Sequence, residues 1–187
     1  LALLSLSSER EIIDYAGRAL AEQLGDCVTL VMLSPDNGQT LQIKGIFGIH
    51  QGLLAKALDL VGEGILRRSC PVDGRFDQVY QERRVYRHEA GLADFAAQAL
   101  PRPVAAAVER LLDVKDVYTM ALVAEDRVLG NLHILGRRPD LIEQPELVEV
   151  FAHQVALALE RAAANEALRE SEDRYRGLFE HAASGFA

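Results

Sequence analysis

The stretch that decides the fold runs from Val117 to Leu135 and reads VYTMALVAEDRVLGNLHIL. Its first part, Val117 to Val123, alternates and is rich in β-formers. Glu125 and Asp126 interrupt it with a polar, turn-like pair, and Val128 to Leu135 resumes as a second strand. Two such runs across a short polar turn predict an antiparallel hairpin. The same pattern lies further toward the N-terminus. Cys27 to Leu33 is an apolar run too short for a core helix, with Cys27 as a small buried side chain. Ser34-Pro35-Asp36-Asn37-Gly38 then turns the chain, because Pro presets φ and Asn-Gly tolerates positive φ. Thr40 to Phe47 follows as the return strand, with Leu41, Ile43 and Phe47 expected on one face.

Helices surround these hairpins. Ser8 and Glu11 form a capping box, and Ile12, Ile13, Ala16, Leu20 and Leu24 recur at helical spacing until Gly25. Leu54, Ala57, Leu58 and Val61 predict a short helix that Gly62 and Gly64 end. Residues 62–75 read as loop. Phe76, Val79 and Tyr80 suggest a helical piece started by Asp73, and Val85 to Glu89 a short strand. Gly91 to Ala99 is ambiguous. Pro101 and Pro103 precede a helix over 104–112. Pro145 sits at a first helical position. Beyond it Val148, Phe151, Val155, Ala158, Ala162 and Asn165 step by three and four, as in a coiled-coil seam, and the first part of that stripe must also cover the domain's own sheet. Residues 162–174 are Ala- and Glu-rich and too polar for a core helix, which predicts a self-associating linker helix that runs on unbroken. The fold class is therefore α+β: a central antiparallel sheet with helices packed on it and a long C-terminal linker helix.

Composition narrows the function classes. The 187 residues carry a net charge of -8, with Arg67-Arg68, Arg83-Arg84 and Arg137-Arg138 as isolated basic pairs. That argues against nucleic acid, which needs clustered Lys and Arg. Two distant cysteines, Cys27 and Cys70, make neither a disulfide framework nor a zinc site. No apolar stretch is long enough to span a bilayer and no secretory signal is visible, so no membrane contact and a cytoplasmic location are expected. The start at Leu1 and the end at Ser184-Gly185-Phe186-Ala187 read as cuts through a longer protein.

At this point the residues resemble a known family. The helix–hairpin start, the Gly62-Glu63-Gly64 turn, the hairpin Val117–Leu135 and the closing helix from Phe151 to Arg161 look like a GAF domain. The segment from Phe76 to Leu92, then Pro101-Arg102-Pro103-Val104 and Glu109-Arg110-Leu111-Leu112, resembles GAF-like domains of multidomain bacterial and archaeal sensors. The string from Ala167 to Glu180 resembles the entry helix of a PAS domain, as found in histidine kinases and cyclic-di-nucleotide synthases. The expected division is thus 1–165 for a GAF-like sensory domain and 166–187 for a linker helix with a truncated PAS start. The resemblance implies a homodimer through parallel terminal helices and a small-molecule pocket between the sheet and the helical middle.

There is no G-x-S-x-G elbow, Walker loop or H-E-x-x-H, so no catalytic residue is assigned and the chain is expected not to be an enzyme. Any kinase or cyclase chemistry of the whole protein would lie further C-terminal. Bilin attachment in the family uses a Cys followed by His, but Cys70 precedes Pro71. His133, between Leu132 and Ile134, is the candidate axial ligand for haem, yet a lone strand His is more often hydrogen-bonded. His88 and Glu89 lack spaced partners, so no metal is assigned, and the sequence requires no cofactor. The Asn-Lys-x-Phe-Asp-Glu signature of cyclic-nucleotide GAF domains is absent. The candidate ligand-binding residues are Tyr86, His88, Phe95, Tyr118 and His133, an apolar mixture with a few polar groups. The long segment 62–100 is where a site is expected.

Two functions stay open. One is a sensory domain that binds a small molecule and relays signal through a dimeric helical linker to a downstream kinase or cyclase. The other is a ligand-free dimerisation and relay spacer, whose pocket would be filled by Phe47, Phe95 and Tyr118.

Overall fold

A computed structural model describes residues 2–72 and 74–184. After a short α1 (Ala2–Ser5), the capping box starts α2 (Glu9–Leu24): Ser8 Oγ accepts from the Glu11 N–H at 3.3 Å, and Glu11 Oε2 accepts from the Ser8 N–H at 3.1 Å. Then come β1 (Cys27–Leu33), β2 (Thr40–Phe47) and α3 (Gln51–Val61). The segment expected to be loop is partly ordered, with a 3-10 turn over Glu63–Arg67 and a two-residue strand β3 (Cys70–Pro71) beside Thr40 and Leu41. The helical piece around Val79 is α4 (Asp77–Glu82), preceded by a 3-10 turn Gly74–Phe76; its expected starter Asp73 lies outside the described residues. β4 (Tyr86–His88), α5 (Gly91–Phe95), α6 (Arg102–Leu112), β5 (Asp116–Ala124), β6 (Arg127–Gly136) and α7 (Pro145–Ser184) complete the chain.

The six strands form one antiparallel sheet in the order β3-β2-β1-β6-β5-β4. Two N- and C-terminal helices, α2 and α7, cover one face, where Ile12, Ala16, Val31, Leu132, Ile134 and Val155 make the main core. The helical middle covers the other face, with Val28, Ala57, Ala105, Val117 and Leu135 in a second core. Each fully buried Leu, Ile or Val contributes about 1.5–3 kcal/mol relative to exposure, so the sheet is fixed from both sides.

Two β-bulges reset which residues face which layer. In β2, Val31 pairs with Gly45 and Met32 with Ile43, so Lys44 is the extra residue. A bulge moves every later side chain to the other face. Leu41 and Ile43 consequently face the helical middle, whereas Phe47 packs with the α2 and α7 core, contrary to the shared face that simple alternation predicts. Gly17 and Gly45 make room there, since a Cβ on either would collide with the Phe47 ring. In β6, Val123 pairs with Val128 but Leu122 with Gly130, so Leu129 is extra. Gly130 then passes so close to Met32 that a Cβ would strike its carbonyl.

Helix α7 is continuous through Asn165 and Ser171. Its first part covers the domain's own sheet, as expected, and the cover extends as far as Ala162. Val148, Val155, Ala158 and Ala162 are buried in the domain's own core, and only Asn165 among the seam's later positions stands exposed. The exposed apolar line is a different one: Leu147 (65%), Val150 (61%), Leu157 (41%), Leu168 (60%) and Tyr175 (63%). The spacing from Leu147 through Val150 and Leu157 to Leu168 and Tyr175 fits a 3.5-residue repeat.

Candidate functional site

The face of the sheet under the helical middle carries the site. The strand register sets it. Tyr86 lies opposite Thr119, and His88 opposite Val117. Thr119 lies opposite His133, which lies opposite Leu30 on its other side. Cross-strand partners share a face. Tyr86, His88, Thr119 and His133 therefore project together. The helical middle adds two rings: Phe95 from the end of α5 and Phe76 from the turn before α4.

These side chains form a connected cluster. The Phe95 ring lies 4.8 Å from that of His133 and 5.1 Å from that of His88, both tilted or edge-on. Phe76 stands 6.3 Å from His133, near-perpendicular to it. Tyr86 meets His88 edge-on at 5.0 Å. Such separations suit edge-to-face aromatic packing. Thr119 Oγ1 joins the two imidazoles, 2.9 Å from His133 Nδ1 and 2.8 Å from His88 Nε2.

A cavity of about 170 Å³ opens beside this cluster, between the sheet and α3, α5 and α6. Its wall is almost wholly aliphatic and aromatic, with Leu30, Ile46, Ala57, Phe76, Phe95 and Leu135 among its lining. His133 also lines it. The ring is 1% exposed, and its distal nitrogen, Nε2, has no hydrogen-bond partner. Burial, and secondarily the nearby His88, pushes the His133 pKa down to about 3, so the ring is neutral at physiological pH. Buried polar atoms are paired in the great majority of cases, so an orphan nitrogen beside an apolar cavity stands out.

The sequence-derived candidates fall into distinct places. His133 and Phe95 line the cavity. His88 stands behind the wall and reaches His133 through Thr119. Tyr86 is at the outer end of the aromatic row, 37% exposed. Tyr118 does not join them. It points to the opposite face, into the α2 and α7 core, where its hydroxyl donates to Asp116 Oδ2 at 3.0 Å. The bulge at Leu129 is the reason. A two-residue turn at Glu125-Asp126 with no bulge would set His133 opposite Tyr118; the extra residue sets it opposite Thr119. Thr119 and Phe76 are the members that sequence reasoning missed. Phe76 carried a signal, in the ring-rich segment 76–95, but Thr119 could be found only by placing the bulge.

Asp116 anchors a second polar group at the edge of the sheet. It accepts from Arg87 Nη2 at 2.7 Å, from the Asp140 N–H at 2.8 Å and from Tyr118. Burial alone would raise its pKa, but these donors together outweigh that and hold the carboxyl below the usual range. Arg87 also pairs with Asp140 at 2.7 Å. This cluster ties β4, β5 and the loop before α7 together. Cys27 is buried beneath α2, and burial raises its thiol pKa to about 11. Among the described residues, no group of three His, Cys, Asp or Glu side chains is placed to hold a metal, and no helix is long and apolar enough to cross a membrane.

A six-stranded antiparallel sheet with paired terminal helices on one face and short helices over a cavity on the other defines an α+β fold of the GAF type. Solved structures carry the same fold. A GAF domain from an Acinetobacter phosphoenolpyruvate-protein phosphotransferase matches with a TM-score of 0.59 at 14% identity, covering 87% of this chain and 89% of that one. The second GAF domain of DevS from Mycobacterium smegmatis matches at 0.55 and 22%, over 84% and 97% of the two chains. A segment of a methyl-accepting chemotaxis protein matches at 0.59 and 16%, over 89% and 97%. No protein-family model matches the sequence, and no curated protein is significantly similar to it.

Proposed function

We propose that this chain is a regulatory sensory domain that binds a small molecule in the cavity beside His133 and passes the binding event to α7. The observation that carries this reading is the cavity of about 170 Å³ between the sheet and the helical middle, walled almost wholly by aliphatic and aromatic side chains with His133 among them. Ligand sites are mostly apolar with a few placed polar groups, and this wall offers Cys70, Gln98 and His133 as the polar ones. The ligand-free spacer receives less support. Of the three rings expected to fill the pocket, Phe95 is at the cavity, whereas Phe47 and Tyr118 are in the opposite core.

The relay follows from the alternation of β6. His133 and Leu135 touch the cavity, while Leu132 and Ile134 are fully buried in the core that contains Val155 and Ala156 of α7. A shift of β6 on the ligand side is therefore felt by the helix on the other. A ligand moves this equilibrium only if it binds the two arrangements with different affinity. The exposed line from Leu147 to Tyr175 is the surface on which two copies would pair in parallel, carrying the signal toward a PAS domain and a kinase or cyclase beyond it. We place the domain in the cytoplasm and give it no catalytic role. Similar solved structures from a methyl-accepting chemotaxis protein and from a two-component sensor histidine kinase support the signalling part of this reading.

Native mass spectrometry of the purified chain, before and after mild unfolding, tests ligand binding. Release of a bound small molecule, absent from an Ala57→Phe variant whose cavity is filled, is the expected result. A bare mass in both proteins, with no saturable binding from a library of small metabolites, would favour the spacer.

A further inference from the structure

The cavity's wall and size restrict its occupant further; this step rests on the ligand-binding reading above. None of the described lining residues is Asp, Glu, Lys or Arg. The bulge in β2 secures this. Ile46 lines the cavity, so plain alternation back along the strand would bring Lys44 and Gln42 to the same face. Because Lys44 is the extra residue, Ile43 and Leu41 take those places in the wall, and Lys44 is left exposed. The three polar members of the wall carry no charge at neutral pH. Gln98 does not ionise, burial raises the Cys70 thiol pKa, and burial keeps the His133 ring neutral with a pKa of about 3.

An ion placed there would lose its hydration without gaining a counter-ion. Water is poorly served as well, since a buried water needs about two to four polar partners. An apolar molecule faces neither obstacle, and on entry it removes its own surface and that of the wall from water. Volume sets the other limit. A dry apolar cavity of roughly 150 Å³ holds one benzene ring. At about 170 Å³ this one has room for such a ring with a small substituent. Sites for drug-sized ligands begin at about 300 Å³, which sets nucleotides and tetrapyrroles aside.

We infer that the cavity selects a small, uncharged, hydrocarbon-like molecule of about single-ring size, held by apolar contact against Ile46, Ala57 and Leu135. The test is a nuclear magnetic resonance titration of the whole chain with toluene and with its charged counterparts benzoate and benzylammonium. Toluene should saturate one site, with Overhauser contacts from its protons to the methyl groups of Ile46, Ala57 and Leu135, a readout that needs no variant. Benzoate and benzylammonium should bind at least about a hundredfold more weakly, because each would bury an ion with no counter-ion. In Ala57→Phe, whose cavity is filled, the contacts to Ile46 and Leu135 should vanish. Binding of either ion as tight as toluene would overturn the uncharged assignment and leave the sensory reading standing. Toluene contacts confined to the exposed line of α7, or unchanged in a folded Ala57→Phe, would overturn the cavity as the site. Absence of toluene binding, where native mass spectrometry still finds a released molecule, would overturn the hydrocarbon class alone; absence of both would take the ligand-binding reading with it.

Discussion

Replacing His133 with Leu should change how stability depends on pH, by an amount the structure sets. The ring is 1% exposed, and burial pulls its pKa from 6.5 to about 3. As pH falls, the unfolded chain takes up this proton first. The contribution of the neutral ring is therefore fully present above about pH 6.5 and is lost progressively as pH falls toward about 3. At about pH 5 the folded state has lost on the order of 2 kcal/mol through this one side chain, against almost nothing at about pH 7.5. Leu does not titrate, so His133→Leu should lack that part of the acid sensitivity. It should also be more stable by roughly 1 kcal/mol near pH 7.5, because a buried unpaired nitrogen costs about 1–3 kcal/mol and Thr119 keeps His88 as a partner. Urea denaturation at both pH values, followed by circular dichroism, gives the two free energies for each protein. Identical pH dependence in wild type and variant would refute a buried, neutral His133.

Other perturbations probe the scaffold. Asp116→Ala removes the acceptor shared by Arg87, Tyr118 and the Asp140 N–H, and should cost about 2 kcal/mol in urea denaturation at neutral pH. Its depressed pKa means that the wild-type contribution is present above the unfolded carboxylate range, near pH 4, and is lost as pH falls through the lower folded value; the variant should show no such loss. Gly130→Val puts a Cβ against the Met32 carbonyl at the bulge, and should cost about 3 kcal/mol by thermal or chemical unfolding, with wild-type stability pointing to a different register. Val150→Glu with Leu157→Glu changes exposed positions, so monomer stability should hold, while sedimentation should show a dimeric wild type becoming monomeric.

The elements were legible where one physical signal governed them. The capping box at Ser8, the Asn37-Gly38 turn and the period-two runs gave α2 and both hairpins to within a residue or two of their ends. Facing was less legible, because a single bulge inverts it and leaves little mark in the sequence. Lys44 in β2 moved Phe47 to the other core, and Leu129 in β6 exchanged Tyr118 for Thr119 opposite His133. Gly130 was the available hint, since a strand Gly often marks a bulge or a close backbone approach. The linker helix shows a further limit. Periodicity revealed an apolar stripe from Val148 to Ala162 whose first part has to cover its own sheet, and it does; the exposed line that runs beside it through Leu157 and Leu168 was not seen. His133 and Phe95 at the cavity, and His88 behind its wall, were found by residue type, whereas the link through Thr119 depended on register.

The most direct test of the account is amide hydrogen exchange of the whole chain with and without the small molecule that native mass spectrometry finds released from it, in the wild type and in Ala57→Phe. The account predicts slower exchange in β5 and β6 together with altered exchange in α7 on the far side of the sheet, and no response in the filled variant. Protection confined to the cavity wall with α7 unchanged, or the same response in both proteins, would contradict a ligand-driven relay.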